Sequence, residues 1–173
     1  MSDKMYLFCQ PGYSAFGMDY REYYVPAASF VYEYVSLYYE ASTKAVQTNI
    51  PVIPDGCIDL VMAYTDGHCT GISICGTITS LYAMQLKDTD YIFGIRFKPG
   101  KCPLLREGAI KEFVDNQHQI KMMDKDIRFV NDLISANSFR ERIMVAEQYI
   151  GVSCGSSSCK QNMVDYTMRC IYS

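Results

Sequence analysis

Histidine is scarce in this 173-residue sequence, and it is the residue most often used for metal binding and acid–base catalysis. Only His68 and His118 are present, whereas a metal enzyme built on strands presents two or three histidines beside a carboxylate. The sequence has no Gly-x-Ser-x-Gly elbow, no phosphate-binding loop and no Cys/His pair with an orienting acid. We therefore predict that the protein is not an enzyme and has no catalytic residue, no metal site and no cofactor.

Long apolar runs and export signals are missing as well. No stretch of about 18 apolar residues, the length that crosses a membrane, occurs in the sequence. Residues 1–11 contain one lysine and too short an apolar segment for a signal peptide. We predict a cytoplasmic protein with no membrane partner.

Positive charge is not in excess. The chain has 16 lysines and arginines against 19 aspartates and glutamates, so its formal net charge is −3. A module that binds nucleic-acid phosphates needs a cationic patch. The chain is therefore not expected to bind DNA by itself.

The eight cysteines do not form a recognisable metal or disulfide pattern. None belongs to a Cys-x-x-Cys motif, and the nearest pairs, Cys69/Cys75 and Cys154/Cys159, are spaced too widely for a zinc knuckle. Most lie in apolar segments of a chain without an export signal. We interpret them as small, reduced hydrophobic residues.

Two short apolar segments each contain a single charge. After the turn signal at residues 54–56, residues 57–62 are apolar except for Asp59. Residues 92–97 are apolar except for Arg96 and are followed by a Pro-Gly turn. Alternation along a strand places Cys57 and Asp59 on one face. A carboxylate within an apolar strand needs a partner, and if the two strands are neighbours Asp59 and Arg96 can pair bidentately.

The Asp59–Arg96 pair has two interpretations, which the sequence leaves open. The favoured one is structural: the pair fixes the strand register or ties down a loop. In the functional one, Arg96 binds an anionic or polar effector while Tyr34 stacks against it. On that second interpretation the candidate ligand-binding residues are Tyr34, Cys57, Asp59 and Arg96.

Strand signals dominate the first hundred residues, and helical periodicity follows. The aromatic residues 30–35 are predicted to form a strand, and Thr65-Asp66-Gly67 to form a hairpin turn. Repeated short strands with turns indicate a closed or sandwiched β architecture. Helices are predicted at residues 126–135, from a capping box at Ser138 and Glu141 to a stop at Gly151, and at residues 159–172.

An apolar stripe along the middle helix has two alternatives, which we weigh equally. It packs on the β body, or it meets its twin in a second molecule, with Arg142 at the edge of that contact. The candidate interface residues are Phe139, Arg142, Ile143, Ala146 and Ile150.

Three blocks, residues 53–61, 76–80 and 93–100, resemble in residues, order and spacing the N-terminal sensor domain of a subgroup of AraC-type bacterial transcriptional regulators. The resemblance covers roughly residues 20–115. It implies an α+β fold, with a cupin-like β jelly roll or barrel at residues 1–118 and two or three C-terminal helices at 119–173. The family commonly has a tryptophan near Tyr38 and Tyr39, and this chain has none.

The resemblance also implies a function. The chain is expected to be a ligand-sensing and dimerisation domain: it binds a small-molecule effector, forms a homodimer, and contacts DNA only through a C-terminal helix-turn-helix domain for which this chain has no room. The alternative is a stand-alone small cupin-like enzyme, or a thiol or metal sensor.

Overall fold

Most of the regular secondary structure is antiparallel β-sheet. The computed structural model describes residues 19–42, 50–84, 89–105, 109–115, 117–119 and 127–153. The strands are β1 (Asp19–Tyr24), β2 (Val35–Ser42), β3 (Ile50–Val52), β4 (Ile58–Thr65), β5 (His68–Cys75), β6 (Tyr82–Met84), β7 (Tyr91–Phe97) and β8 (Gln117–Gln119). A 3₁₀ helix (Ala109–Phe113) precedes β8, and helices α1 (Ile127–Ser135) and α2 (Phe139–Ser153) follow it.

Within these described ranges, six strands form one sheet in the order β1-β2-β7-β4-β5-β8, and β3 pairs with β6 separately. Every pairing is antiparallel. The predicted α+β arrangement, strands first and helices last, is therefore confirmed. In the same ranges no helix is long and apolar enough to cross a membrane.

The β4–β5 hairpin turns where the sequence predicted. Asp66 and Gly67 have φ angles of 50° and 77°, and the strands close on them with Thr65 opposite His68. Two successive positive φ angles are what a tight two-residue hairpin requires, and Asp-Gly tolerates them. This prediction needed only local sequence, because the turn is made by adjacent residues.

The large sheet has a core on each face. Alternation sends Leu60 and Ile95 to one face, where they join the residues of α1 and α2 in what we call the helix-side core. Leu37 and Tyr39 point to the opposite face, where Ile50 and Met84 of the β3–β6 pair cover them. The sheet is thus buried on both sides.

The stripe on α2 contacts the sheet within the single chain, which is the first of the two alternatives. Phe139, Ile143, Ala146 and Ile150 are buried in the helix-side core. The Phe139 ring lies edge-on to Phe93 of β7, with centroids 6.1 Å apart. At the edge of the stripe, Arg142 Nη1 donates to the Tyr91 hydroxyl at 3.2 Å. The four stripe residues are therefore already buried within the single chain.

The predicted capping box begins α2, with one difference. Ser138 Oγ accepts the Glu141 amide at 3.2 Å, while Glu141 Oε2 accepts from the Asn137 amide at 2.7 Å, one residue earlier than usual. The predicted stop at Gly151 is wrong, since α2 continues to Ser153. Gly151 instead makes room for the Phe30 ring, because a Cβ there would lie 2.5 Å from Phe30 Cε2.

The strand predicted at residues 30–35 is also wrong. Residues 27–34 form turns, and β2 begins only at Val35. The Ser29 amide donates to the Pro26 carbonyl at 2.8 Å, and the Tyr32 amide to the Ser29 carbonyl at 3.1 Å. These local hydrogen bonds replace strand pairing despite the aromatic and β-branched composition. The helix predicted at residues 159–172 lies outside the described residues.

Candidate functional site

Asp59 and Arg96 face each other on β4 and β7, which are neighbours in the sheet. Arg96 Nε donates to Asp59 Oδ1 at 2.9 Å, and Nη2 donates to Oδ2 at 2.7 Å. Both residues are buried, with 8% of the Asp59 surface and 4% of the Arg96 surface exposed. The predicted bidentate pair is confirmed. Bidentate geometry fixes both the spacing and the register of the two strands.

The same guanidinium also holds the turn before β4. Arg96 Nη1 donates to Asp55 Oδ2 at 3.0 Å, and Asp55 Oδ1 accepts the Cys57 amide at 3.0 Å. Gly56, between them, has a φ of 74°, which only a residue tolerant of the left-handed region adopts readily. Arg96 therefore holds the turn at residues 55–57 as well as the pairing of β7 with β4.

A tyrosine from a third strand completes this ionic network. Tyr39 of β2 donates its hydroxyl to Asp59 Oδ2 at 3.1 Å. Its ring crosses β7 directly over Gly94, its partner in the sheet register. A Cβ at Gly94 would lie only 2.0 Å from Tyr39 Cζ. The missing side chain at position 94 is thus what allows Tyr39 to reach Asp59.

The guanidinium remains charged within this network. Burial by itself would lower the pKa of Arg96, but the Asp59 and Asp55 carboxylates beside it raise that pKa well above its usual value. Asp59 accepts from Arg96 at both of its oxygens. The two side chains therefore form a bidentate ion pair.

A cavity of about 150 Å³ opens beside the network, on the sheet face opposite the helices. Asp55, Asp59, Arg96 and Tyr39 line its polar side, and Asp115 also borders it. Its remaining walls are largely apolar and come from β4, from the β3–β6 pair and from adjoining loops: Val52, Ile53, Val61, Ile78, Tyr82 and Met84. A concave apolar site with a few convergent polar groups is the usual form of a small-molecule site.

Asp115 is held at this cavity by backbone and side-chain contacts. Its φ is 55°, and its amide donates to the Thr77 carbonyl at 2.8 Å. Its carboxylate accepts from the Thr79 hydroxyl at 2.6 Å and from the Thr79 amide at 2.7 Å. These hydrogen bonds lower the pKa of Asp115, so its charge is present at neutral pH.

A family model matches residues 24–119, more than half of the chain, and this span contains the ionic network and the whole cavity lining. Its description is "Domain of unknown function (DUF6597)". The chain belongs to the DUF6597 family. No curated protein and no solved structure matches the chain. The matched DUF6597 span runs from the last residue of β1 to the last residue of β8, and α1 and α2 lie after it.

Three of the four candidate ligand-binding residues meet in the DUF6597 cavity, and the fourth lies elsewhere. Cys57, Asp59 and Arg96 line the cavity. Tyr34 packs against the helix-side core, where Lys101 Nζ lies 6.0 Å from its ring centroid. Tyr34 belongs to the turns at residues 27–34 and not to the strand predicted there. Their role in ligand binding stays a prediction.

Eleven of the fourteen cavity-lining residues were not predicted as ligand-binding from the sequence, and Tyr39, Asp55, Cys75 and Asp115 are among them. The position of Asp55 in the turn could have been recognised from the sequence, because an aspartate in a turn often accepts a hydrogen bond from the amide two residues later. Tyr39, Cys75 and Asp115 reach the cavity only because the fold brings β2, β5 and the segment after the 3₁₀ helix to it. No short-range pattern marks such neighbours.

The described part of the DUF6597 chain offers no metal centre, since no group of three His, Cys, Asp or Glu residues is placed there to hold an ion. His68 is exposed beside the β4–β5 turn. The side chain of His118 is outside the described residues. Cys57 and Cys75 both line the cavity, and burial raises the pKa of the Cys75 thiol to about 12 and also raises that of Cys57.

We expect Cys57 and Cys75 to react slowly with iodoacetamide in the folded protein at pH 8. The thiolate is the reacting species, and burial disfavours it at both positions. Peptide mapping after timed alkylation should show labelling at least about tenfold slower than in denaturant. Rapid native labelling of either cysteine would contradict this expectation and would favour the thiol-sensor alternative.

Proposed function

We propose that this DUF6597 chain is the ligand-sensing and dimerisation domain of a bacterial AraC-type transcription regulator, acting in the cytoplasm. The observation that carries the proposal is the convergence of the three resembling blocks on one cavity. Residues 53–61 supply Asp55, Cys57, Asp59 and Val61, residues 76–80 supply Gly76 and Ile78, and residues 93–100 supply Arg96. Blocks far apart in sequence thus line one site, as a ligand-binding function requires.

The finer fold is part of the same proposal. We propose that the sheet, with the β3–β6 pair covering its second face, is a small cupin-like jelly roll. Support comes from the exclusively antiparallel pairing of the described strands and from the presence of two layers around the cavity. In this arrangement the cavity lies inside the β body and away from α1 and α2.

The network around Arg96 links the strands that a ligand in the cavity would contact. It joins β2, β4, β7 and the turn at residues 55–57 through hydrogen bonds of 2.7–3.1 Å. A ligand in the adjoining cavity would contact these residues directly, so its binding energy could favour one arrangement of the three strands over another. A sensor domain requires such a ligand-dependent shift between two arrangements of the protein.

Dimerisation and DNA contact are assigned by the same proposal. The dimer would use a surface other than the α2 stripe, because Phe139, Ile143, Ala146 and Ile150 are already buried in the helix-side core of the single chain. DNA would be contacted by a separate helix-turn-helix domain, since the net charge of −3 does not favour phosphate binding. No catalytic step is proposed.

The test combines light scattering with thermal denaturation of the 173-residue chain against a metabolite panel. We expect a dimer and at least one compound that, at about 100 times its Kd, raises Tm by about 5–10 °C. Val61→Phe, which fills the cavity, should abolish that shift. Ile134→Phe, on the exposed side of α1, is the matched control and should retain it.

A monomer that no compound stabilises would contradict the proposal. A compound that stabilises the wild type and Val61→Phe equally would show that the cavity is not the sensing site.

A further inference from the structure

Arg96 is the only cation among the described residues that line the cavity, and its charge is already matched. Its Nε, Nη1 and Nη2 each donate to an oxygen of Asp55 or Asp59, at 2.7–3.0 Å. The side chains of Arg96 and Asp55 are 5% and 8% exposed. An incoming anion would have to displace a buried carboxylate from this guanidinium, which is costly. The expectation that Arg96 receives an anionic effector is therefore disfavoured by the geometry.

The charges that face the cavity are negative in sum. One guanidinium stands against three carboxylates, those of Asp55, Asp59 and Asp115. Among the described lining residues, carboxylates thus outnumber the guanidinium, which favours a negative potential in the cavity, and solvent screens that potential most at the exposed Asp115. Low-dielectric walls strengthen such a potential inside a concave site. A cation is attracted to it and an anion is repelled.

Hydrogen-bond capacity also favours a donor ligand. A carboxylate offers about four acceptor positions. Asp59 uses three of them, for Arg96 Nε and Nη2 and for the Tyr39 hydroxyl. The Asp115 carboxylate accepts twice from Thr79 and lies at an exposed position. An ammonium group has three donors and no acceptor, so it matches these carboxylates better than a carboxylate or phosphate would.

The volume limits the rest of the ligand. A dry cavity of about 150 Å³ is large enough for one benzene ring, and this cavity has a similar volume. The walls formed by Val52, Val61, Ile78 and Met84 are apolar. They suit a compact hydrocarbon body and cannot satisfy a sugar with many hydroxyl groups.

We propose that the cavity selects a small primary amine in its protonated form, with an apolar body about the size of one ring. The proposal rests on the proposed function and specifies the chemical class of its ligand. The ammonium group meets the carboxylates at the Asp115 side, and the hydrocarbon body fills the space against β4 and the β3–β6 pair.

Three probes with the same ring and different charge test this proposal: benzylamine, benzyl alcohol and benzoate. Their Kd values are measured by ligand titration at about pH 7 and low salt, where screening is weak. We expect benzylamine to bind at least about tenfold more tightly than benzoate, with benzyl alcohol between them. Val61→Phe should abolish benzylamine binding because it fills the cavity.

Asp115→Asn isolates the contribution of charge without disturbing the backbone. Asparagine tolerates the left-handed φ of position 115 and can still accept from Thr79. We expect this variant to lower the benzylamine-to-benzoate preference about three- to fivefold. Asp132→Asn, an identical change at an exposed position of α1, should leave the preference unchanged.

Several outcomes would overturn the amine proposal. Benzoate binding as tightly as benzylamine would overturn it and leave the sensing function standing, and so would an unchanged preference in Asp115→Asn. Benzylamine binding that survives Val61→Phe would place the amine outside the cavity. If none of the three probes binds, the amine proposal fails, and the metabolite panel decides separately whether the cavity senses another ligand.

Discussion

Arg96→Met is expected to lower the free energy of unfolding by about 3–5 kcal/mol, the largest effect of any single substitution in the network. Methionine keeps much of the apolar length of the side chain but removes the charge. Asp59 and Asp55 would then be buried without the cation that each contacts at 3.0 Å or less. Leaving a buried carboxylate unpaired costs more than a typical surface salt bridge contributes.

Urea denaturation measures this loss, with Arg140→Met as the matched control. Arg140 is exposed on α2, and its replacement should change stability by less than about 0.5 kcal/mol. Arg96→Met/Asp59→Leu should recover part of the loss, because it removes one of the two orphaned charges. A loss below about 1 kcal/mol for Arg96→Met would show that water reaches these carboxylates and that the network is not buried in solution.

Gly94→Ala is the second large effect, an expected loss of about 2–4 kcal/mol from a single methyl group. The new Cβ would lie 2.0 Å from Tyr39 Cζ and 2.5 Å from its hydroxyl oxygen. The ring has to move, and the hydrogen bond to Asp59 is lost with it. Tyr39 is buried in the core on the face opposite the helices, so the displaced ring gives up its packing there even where it moves toward the cavity that it borders.

Gly71→Ala on β5 provides the control for this prediction. No atom lies within 4 Å of a Cβ built there, so the substitution should be neutral or stabilising by up to about 1 kcal/mol. In a double-mutant cycle, Gly94→Ala should cost nothing once Tyr39→Ala has removed the ring. Additive losses from the two substitutions would show that the Tyr39 ring is not what requires a glycine at position 94.

The two predictions concern one structural unit with consequences for function. Tyr39 and Arg96 both line the cavity, so disturbing either changes the site as well as the fold. A domain that keeps a buried ion pair beside a cavity accepts a desolvation cost that an apolar core would avoid. In the proposed sensor, a bound ligand would contact this pair directly and so could bias the arrangement of β2, β4 and β7.

Much of the site was predictable where the signal was local or chemical. Asp59 and Arg96 were each the single charge in an apolar strand, and burial required a partner for each. The hairpin at Asp66 and Gly67 followed from adjacent residues with the right φ tolerance. The α2 cap followed from the spacing of Ser138 and Glu141.

Two predictions failed because they relied on local composition, and contacts in the folded chain decided otherwise. The composition of residues 30–35 favoured a strand, but hydrogen bonds from Pro26 onward formed turns. Tyr34 was therefore predicted beside Arg96, whereas it packs against the helix-side core. Gly151 looked like a helix stop because glycine often ends helices, whereas in the fold it lies inside α2 against the largely exposed Phe30 ring, which a Cβ would meet at 2.5 Å.

Short-range sequence was enough to identify the charged residues of the buried strands, the turn between β4 and β5, and the start of α2. Each of these depends on residues within a few positions of one another. The position of β7 between β2 and β4 emerged only in the folded chain. That order brings Tyr39, Asp59 and Arg96 together and requires Gly94 to have no side chain. The fold also brings Asp115 to the same cavity as Asp59, although the two are far apart along the chain. Strand order is set by the burial of apolar side chains on both faces of the sheet at once. That burial involves residues from the whole chain, so no short segment determines it.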